Sequence, residues 1–280
     1  MTADGTARMD CTIVDVFAER PLAGNQLAVI RDCARLDGAE MQAVAREMNF
    51  SETSFVTDER LGEASVRIFT VDRELPFAGH PTIGTAWVLG RAGGAYVLDL
   101  AAGRVRVTFE PGGIAWMTPP PVALGDAVAP ARAAALAGLA TADLDARFPC
   151  RFATVGPWFL LVGVRTLDAL RRVEIDPAVY REVAAGGWLS LFVFAGEPYS
   201  AGADFAARML TFHGTAHEDP ATGSANAALA AHLRDLGRRG PAIVEQGFEI
   251  ARPSRLYLDI GETIRVGGKV QPVLRGTLDY

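Results

Sequence analysis

The stretch RMLTFHGTAHEDPATGSANAALAAHL, at residues 208–233, decides how this chain of 280 residues folds. An apolar run at its start predicts a strand, two acids follow, and an alanine-rich helix opens at Gly223-Ser224. The first backbone N–H groups of a helix have no partners and carry partial positive charge, so they favour a carboxylate or a phosphate. Glu218 and Asp219, just ahead of those donors, are therefore candidate acids, bases or substrate-orienting groups.

A second stretch, RIFTVDRELPFAGHPTIGTAWVLG at residues 67–90, has the same layout of apolar strand, polar turn and small-residue helix. Aligning Gly79 with Gly223 places His80 opposite Ser224. A repeated supersecondary design predicts two pseudo-symmetric lobes. Two such lobes would bring two helix starts towards one cleft.

Three successive prolines, residues 119–121, mark the predicted boundary between the lobes. Proline cannot supply the N–H that a sheet ladder needs, so regular structure stops there. We predict a first lobe over residues 1–118 and a second lobe over residues 119–267.

The composition favours a small-molecule partner. Half of the residues are hydrophobic and 21% are charged, as in soluble globular proteins. The net charge of −6 argues against nucleic acid or an acidic membrane surface. Cys11, Cys33 and Cys150 are odd in number and widely spaced, which is typical of reduced thiols. No apolar signal region or membrane-spanning run is present in the sequence, so we expect a cytoplasmic protein.

Five groups of residues occur along the chain in the order found in one known family. They are Asp15-Val16-Phe17 with Gly24 to Val29, Glu47 to Thr53, Phe77 to Thr82, Glu218 to Ala225, and Gln246 to Ile250 with Arg252-Pro253-Ser254. On these groups the chain resembles the PhzF family, the phenazine-biosynthesis isomerases and their relatives. The resemblance implies an α+β fold like that of diaminopimelate epimerase. In that fold each lobe is a curved, barrel-like mixed or antiparallel β-sheet wrapped around a central helix, and the last strand, here about residues 268–280, returns to the first lobe.

The resemblance also implies the site. Glu52 matches the family's general acid/base, and the positions of His80 and Asp219 line the same site, so we expect these three residues to be catalytic. We expect substrate-binding residues at the two helix starts: Gly79, Pro81, Thr222, Gly223, Ser224 and Ala225. On pattern alone each catalytic candidate has a plainer reading. Glu52 could be an exposed strand residue, His80 a cap for the helix that Pro81 begins, and Asp219 a partner of the helix dipole.

No metal or organic cofactor is expected. His213 and His217 are four residues apart, but two histidines at that spacing share a face only in a helix, and Gly214 in a strand-to-turn context disfavours a helix there. The glycine-rich segments lack the residues that complete a nucleotide-binding loop.

The departures from the wider fold family point to the reaction. Its racemases and epimerases use two cysteines, and the matching positions here are Ala78 and Thr222, neither of which can act as a thiolate base. A single carboxylate can remove a proton from one carbon and return it to another, which shifts a double bond. The resemblance implies such an isomerisation, which the phenazine enzymes perform on trans-2,3-dihydro-3-hydroxyanthranilate. The neighbouring residues Val71, Leu210 and Asn226 depart from those enzymes, so we expect a different cyclic or unsaturated carboxylate.

Two other functions stay open. One is an epimerase- or dehydratase-like enzyme that uses Glu52 and Thr222 on a hydroxylated amino acid, and the other is a catalytically inactive small-molecule-binding protein. In all three cases the ligand is expected to be small and acidic. The resemblance also implies a homodimer.

Overall fold

The structure, a computed structural model, describes residues 8–90, 94–185, 187–212 and 214–280. It is an α+β structure dominated by strands. The described helices are α1 (Gly38–Met48), α2 (Gly79–Gly90), α3 (Pro130–Leu136), α4 (Leu167–Arg171), α5 (Pro177–Ala184) and α6 (Gly223–Asp235). The described strands are β1 (Arg8–Val16), β2 (Asn25–Ile30), β3 (Glu52–Arg60), β4 (Glu63–Phe69), β5 (Glu74–Leu75), β6 (Ala95–Leu100), β7 (Gly103–Glu110), β8 (Ile114–Met117), β9 (Ala123–Ala127), β10 (Arg151–Thr154), β11 (Trp158–Val164), β12 (Ser190–Ala195), β13 (Phe205–Phe212), β14 (Ala216–Asp219), β15 (Gly240–Gln246), β16 (Ser254–Ile260), β17 (Ile264–Gly268) and β18 (Val270–Asp279).

The chain divides into two compact units. The first unit has two segments, the chain up to Thr118 and Gly267–Tyr280. The second unit is Pro119–Val266. The division at Thr118 therefore coincides with the start of the run of three prolines. None of the helices in the described ranges is long and apolar enough to cross a membrane.

The first unit is built on a mixed sheet. Strand β1 pairs antiparallel with β18 on one side and with β2 on the other. Strand β2 is parallel to β3, and β3 is antiparallel to β4. Strand β4 is antiparallel to β5 and parallel to β6, after which β6, β7 and β8 form an antiparallel meander.

The second unit repeats this order and these directions. Strand β10 pairs antiparallel with β9 and β11, β11 is parallel to β12, and β12 is antiparallel to β13. Strand β13 is antiparallel to β14 and parallel to β15, which is antiparallel to β16. In each unit a long helix follows the short strand, α2 after β5 and α6 after β14. The repeated design predicted from the sequence is therefore confirmed in the strand topology.

Both of these helices are enclosed by their own unit. Every residue from Gly79 to Ala86 of α2 is buried, and so is every residue from Gly223 to Leu233 of α6. Helix α2 packs on β1, β2 and β6, and α6 packs on β16, β11 and β9. A helix that is apolar on all sides is stable only when it is buried in this way. The small residues of α2 and α6 let the surrounding strands come close to each helix.

Helix α1 delivers the chain to the first catalytic candidate. Asp37 caps the helix, because its Oδ1 accepts hydrogen bonds from Ala39 N at 2.8 Å and Glu40 N at 2.9 Å. The Glu40 carboxylate accepts in return from Asp37 N, which completes a capping box. The helix ends at Asn49 in the left-handed conformation, and β3 then begins at Glu52.

Gly84→Ala should destabilise the protein. A Cβ atom at Gly84 would lie 2.5 Å from Leu27 Cδ2 and 2.7 Å from Val16 Cγ2, and both of those side chains are fully buried. We expect a loss of about 1–3 kcal/mol in the free energy of unfolding, measured by urea denaturation.

Gly276→Ala is the matched control for this substitution. Gly276 lies on an exposed part of β18, where a new Cβ would meet only Leu274 Cδ2 at 3.7 Å. Alanine there should be neutral or stabilising by up to roughly 1 kcal/mol. Equal effects at the two glycines would mean that α2 is not tightly enclosed.

Candidate active site

Glu52 and His80 lie side by side in the first unit. Glu52 is the first residue of β3, and His80 lies in the first turn of α2, which begins at Gly79. The Nδ1 atom of His80 is 3.5 Å from Oε2 of Glu52. The His80 side chain is only 4% exposed and that of Glu52 is 16% exposed. His80 is therefore part of the buried first turn, and it is not a residue that precedes and caps the helix.

Burial keeps the His80 imidazole neutral. Desolvation lowers the pKa of His80 from its ordinary 6.5 to about 3, and a hydrogen bond with the Gln26 backbone opposes this only in part. At neutral pH the contact with Glu52 is therefore not an ion pair, and His80 does not neutralise the glutamate. The Nε2 atom of His80 is buried and has no hydrogen-bond partner among the described residues.

Asn25 is a third member of this group that the sequence reasoning missed. Its Nδ2 lies 3.3 Å from His80 Nδ1, and its side chain is 1% exposed. The preceding loop is shaped by the buried Asp15, whose Oδ2 accepts a hydrogen bond from Leu22 N at 2.7 Å. Gly24 has a φ of +70°, and a Cβ there would lie 2.4 Å from the Val16 carbonyl oxygen. Glycine at this position thus lets the loop bring Asn25 to the histidine.

Asp219 and Thr222 form the second group, in the second unit. Asp219 ends β14, and Thr222 directly precedes α6. The Thr222 hydroxyl donates to Asp219 Oδ2 at 2.5 Å. Gln246, at the end of β15, donates to Thr222 Oγ1 at 3.1 Å and to the Asp219 carbonyl oxygen at 2.9 Å. Gln246 belongs to one of the motifs shared with the family, and the sequence alone predicts no role for it.

The start of α6 keeps its backbone donors uncapped. Thr222 holds the N-cap position, but its side chain makes no capping hydrogen bond. The N–H groups of Gly223, Ser224 and Ala225 precede the first residue whose N–H can bond inside the helix, since Asn226 N donates to Thr222 O. Three of the predicted binding residues thus present N–H donors at one place. In the first unit, Gly79 and Pro81 occupy the first turn of α2 beside His80.

Glu218 has a structural role. Neighbouring residues of a strand point to opposite faces, so Glu218 does not share the face of Asp219. Its carboxylate pairs with Arg208 at 2.7 Å, with both side chains at most 10% exposed. Arg208 also donates to the carbonyl oxygens of Leu170, Arg171 and Val173 at the end of α4. From the sequence, Glu218 and Asp219 are equal candidates for the site. In the structure Asp219 binds Thr222 at the start of α6, whereas Glu218 pairs with Arg208.

Only one histidine of the candidate metal-binding pair lies in the described part of the chain. His213 lies outside the described residues. His217 is exposed on β14, so the local structure there is a strand. In the described ranges, no group of three or more histidine, cysteine or acidic side chains is arranged to hold a metal ion.

The buried His80 should make the protein sensitive to acid. Its folded-state pKa of about 3 lies below its ordinary 6.5, so between these values the unfolded chain binds a proton that the folded chain does not. The free energy of unfolding should therefore fall as the pH drops from about 6.5 towards 3. His80→Gln cannot titrate, and its stability should fall less steeply than that of the unmodified protein in urea denaturation.

The substitution also removes packing contacts, so the two proteins are compared first at about pH 8, where the histidine is neutral in the folded and the unfolded state. The difference in the free energy of unfolding at that pH reports the lost packing alone. His232 is also buried, with its pKa lowered to about 4, so some acid sensitivity should remain in the variant. A parallel loss of stability in the two proteins between about pH 8 and pH 4.5 would contradict the assignment to His80.

Known proteins resemble this chain in sequence and in fold. A family model described as phenazine biosynthesis-like protein matches residues 14–276. An isomerase of Mesorhizobium japonicum, itself named as uncharacterized, is 36% identical over 95% of this chain and 97% of its own. The trans-2,3-dihydro-3-hydroxyanthranilate isomerase of Pseudomonas aeruginosa is 36% identical over 88% of each chain.

Solved structures show the same fold. A PhzF-family phenazine biosynthesis protein of Bacillus anthracis matches with a TM-score of 0.84 and 25% identity, covering 97% of this chain and 99% of that one. A hydroxyproline epimerase from Agrobacterium vitis matches with a TM-score of 0.59 at 14% identity, covering 97% and 92%. These findings confirm the epimerase-like α+β fold and the isomerase family expected from the sequence. The chain belongs to the phenazine biosynthesis-like PhzF family of isomerases.

Proposed function

We propose that this protein is a cofactor-independent isomerase that moves a proton between two carbons of a small unsaturated or cyclic carboxylate, with Glu52 as the acid/base. The observation that carries the proposal is the Glu52–His80 pair, in which a carboxylate lies 3.5 Å from a buried histidine. Burial keeps this histidine neutral, so it does not neutralise the Glu52 side chain with a positive charge. A carboxylate can act as a general base.

The proposed reaction needs one proton and no redox partner. Glu52 removes a proton from a carbon of the substrate, and the electron pair of the broken C–H bond enters the conjugated system that ends in the substrate's carboxylate. The protonated Glu52 then gives its proton to a second carbon, and a new C–H bond forms as the double bond moves. Atoms and electrons balance without a cofactor. His80 Nε2, buried and without a partner among the described residues, supports a role for this side chain in orienting the substrate.

The start of α6 supports binding of an anionic substrate. Its N–H groups at Gly223, Ser224 and Ala225 are uncapped, and helix starts stabilise negative charge. Negative charge builds up on the substrate after the C–H bond breaks, so donors placed there would lower the barrier. We propose that Asp219, fixed beside this start by Thr222, orients the substrate.

The hydrogen bonds of Thr222 favour this reaction over the epimerase-like alternative. The alternative needs the Thr222 hydroxyl as a second acid/base. That hydroxyl donates its single proton to Asp219 and also accepts from Gln246, so it is engaged within the unit. An alcohol is also a far weaker base than a thiolate.

The relatives support the class of substrate. One is named for the isomerisation of trans-2,3-dihydro-3-hydroxyanthranilate, a cyclic unsaturated carboxylate. Another, equally identical to this chain, is an isomerase without a named substrate. We therefore propose that the substrate is a cyclic or unsaturated carboxylate.

Glu52→Gln should abolish proton transfer while the protein stays folded. The amide has the size of the carboxylate but cannot accept the proton, and loss of a general acid/base typically lowers the rate by about 10²–10⁴-fold. The measurement is deuterium incorporation and double-bond migration in D₂O, followed by NMR. The substrates are trans-2,3-dihydro-3-hydroxyanthranilate and a panel of small cyclic and unsaturated carboxylates.

Glu59→Gln is the control, because Glu59 lies at the far, more exposed end of the same strand and pairs with Arg31 at 2.8 Å. It should retain full activity. Exchange without double-bond migration in the unmodified protein would favour the epimerase-like function. Binding without any exchange would favour the inactive binding protein, and full turnover by Glu52→Gln would remove Glu52 from the mechanism.

Gly223→Val should weaken binding of small carboxylates. A branched side chain at this position would obstruct the approach of an anion to the N–H groups of the first turn, so the dissociation constant measured by calorimetry should rise by at least about tenfold. Gly276→Val, the same change on the exposed β18, should leave it unchanged, and Gly223→Ala should give a smaller effect. Undiminished binding to a folded Gly223→Val protein would place the anion site elsewhere.

A further inference from the structure

Gln246 joins β14 to the start of α6 through a fully buried amide. Its side chain is 0% exposed. The Nε2 atom donates to the Asp219 carbonyl oxygen at 2.9 Å and to Thr222 Oγ1 at 3.1 Å. The Oε1 atom accepts from Thr222 N at 3.3 Å and from Asn226 Nδ2 at 3.1 Å. An amide side chain has two donors and two acceptor sites, so the full capacity of Gln246 is used.

The orientation of this amide is fixed by its partners. Asn226 Nδ2 also contacts the Thr222 carbonyl oxygen at 3.0 Å, and a carbonyl oxygen can only accept, so the nitrogen of Asn226 must lie on this side. That nitrogen can only donate, so Gln246 must turn its oxygen towards it and its nitrogen towards Thr222 Oγ1. A threonine hydroxyl has a single proton. Because Oγ1 accepts from Gln246, its own proton is directed to Asp219 Oδ2.

The Thr222 hydroxyl does not make the capping hydrogen bond that is usual at a helix start. A threonine at an N-cap normally accepts a hydrogen bond from the second or third N–H of the helix. Here the hydroxyl makes no such bond, and the donors of Ser224 and Ala225 stay uncovered.

We propose that Gln246 is a positioning residue, which holds the Thr222 hydroxyl on Asp219 and away from the N–H groups of α6. The Asp219 carboxylate and the helix start are then both ready for the substrate. The catalytic meaning of this inference rests on the proposed function. The three side chains involved, those of Thr222, Asp219 and Gln246, all lie within the second unit.

The test measures the pKa of the Asp219 carboxyl directly, by NMR of protein labelled with ¹³C at the aspartate carboxyls and with Asp219→Asn for assignment. A hydrogen bond to the charged form lowers a carboxyl pKa. Thr222→Val removes that donor and should raise the pKa of Asp219 by about one unit, a tenfold change in proton affinity. Gln246→Leu should also raise the pKa of Asp219. The double variant should match Thr222→Val, because Gln246 acts through Thr222.

Tyr180→Phe is the matched control. Tyr180 donates a buried hydrogen bond to the Leu189 carbonyl oxygen at 2.7 Å in the same unit, outside this network. Its loss should lower stability without moving the pKa of Asp219. The adjacent Arg208–Glu218 pair lies on the opposite face of β14, and none of these substitutions removes either of its residues.

Three results would overturn the inference: a wild-type Asp219 pKa in folded Gln246→Leu, a further rise in the double variant, or an equal rise in Tyr180→Phe. The measurement uses no substrate, so it decides the role of Gln246 even where the Glu52 exchange test fails. On a substrate that the protein does turn over, Gln246→Leu should lower kcat about tenfold with a smaller change in KM, and Tyr180→Phe should retain kcat.

Discussion

Each unit of this protein encloses a whole helix within its own strands. This enclosure limits which residues the helix can carry and how the polar groups at its start are paired. A helix buried on all sides can carry little beyond small and apolar residues, as the tight contacts around Gly84 and the alanine-rich α6 show. The residues of its first turn are buried as well. Polar side chains near them must therefore be satisfied by a few well-placed partners, since an unpaired buried polar group is costly. Thr222 meets this demand through Asp219 and Gln246, whereas His80 Nε2 has no partner among the described residues.

The two helix starts differ in their electrostatics. In the first, burial removes the charge of His80, so a neutral imidazole lies beside the Glu52 side chain. In the second, a neutral amide and a hydroxyl organise the surroundings of Asp219. Two charged residues in the interior of the second unit, Arg208 and Glu218, pair with each other, and Arg208 also binds carbonyl oxygens at the end of α4.

The sequence by itself determined the fold class and the family, because ordered motifs spread along the chain are far more specific than any one of them. It also determined helix α1, whose capping box at Asp37 and Glu40 is a local signal three residues long. The candidate residues Glu52, His80, Asp219 and Thr222 followed from their residue types within those motifs. Local chemistry at helix starts is legible in sequence because capping and dipole effects act within one turn.

Only the tertiary structure decided how these residues are connected. Glu218 and Asp219 are neighbours in the sequence, and strand alternation together with Arg208 gives them different roles. Asn25 meets His80 across 55 positions, and Gln246 meets Thr222 across 24. Neither amide carries a charge or a periodic pattern that could have pointed to its partner. Such contacts follow from which strands pair and in which register, and that depends on the packing of residues distant in the chain, which no local stretch of sequence specifies.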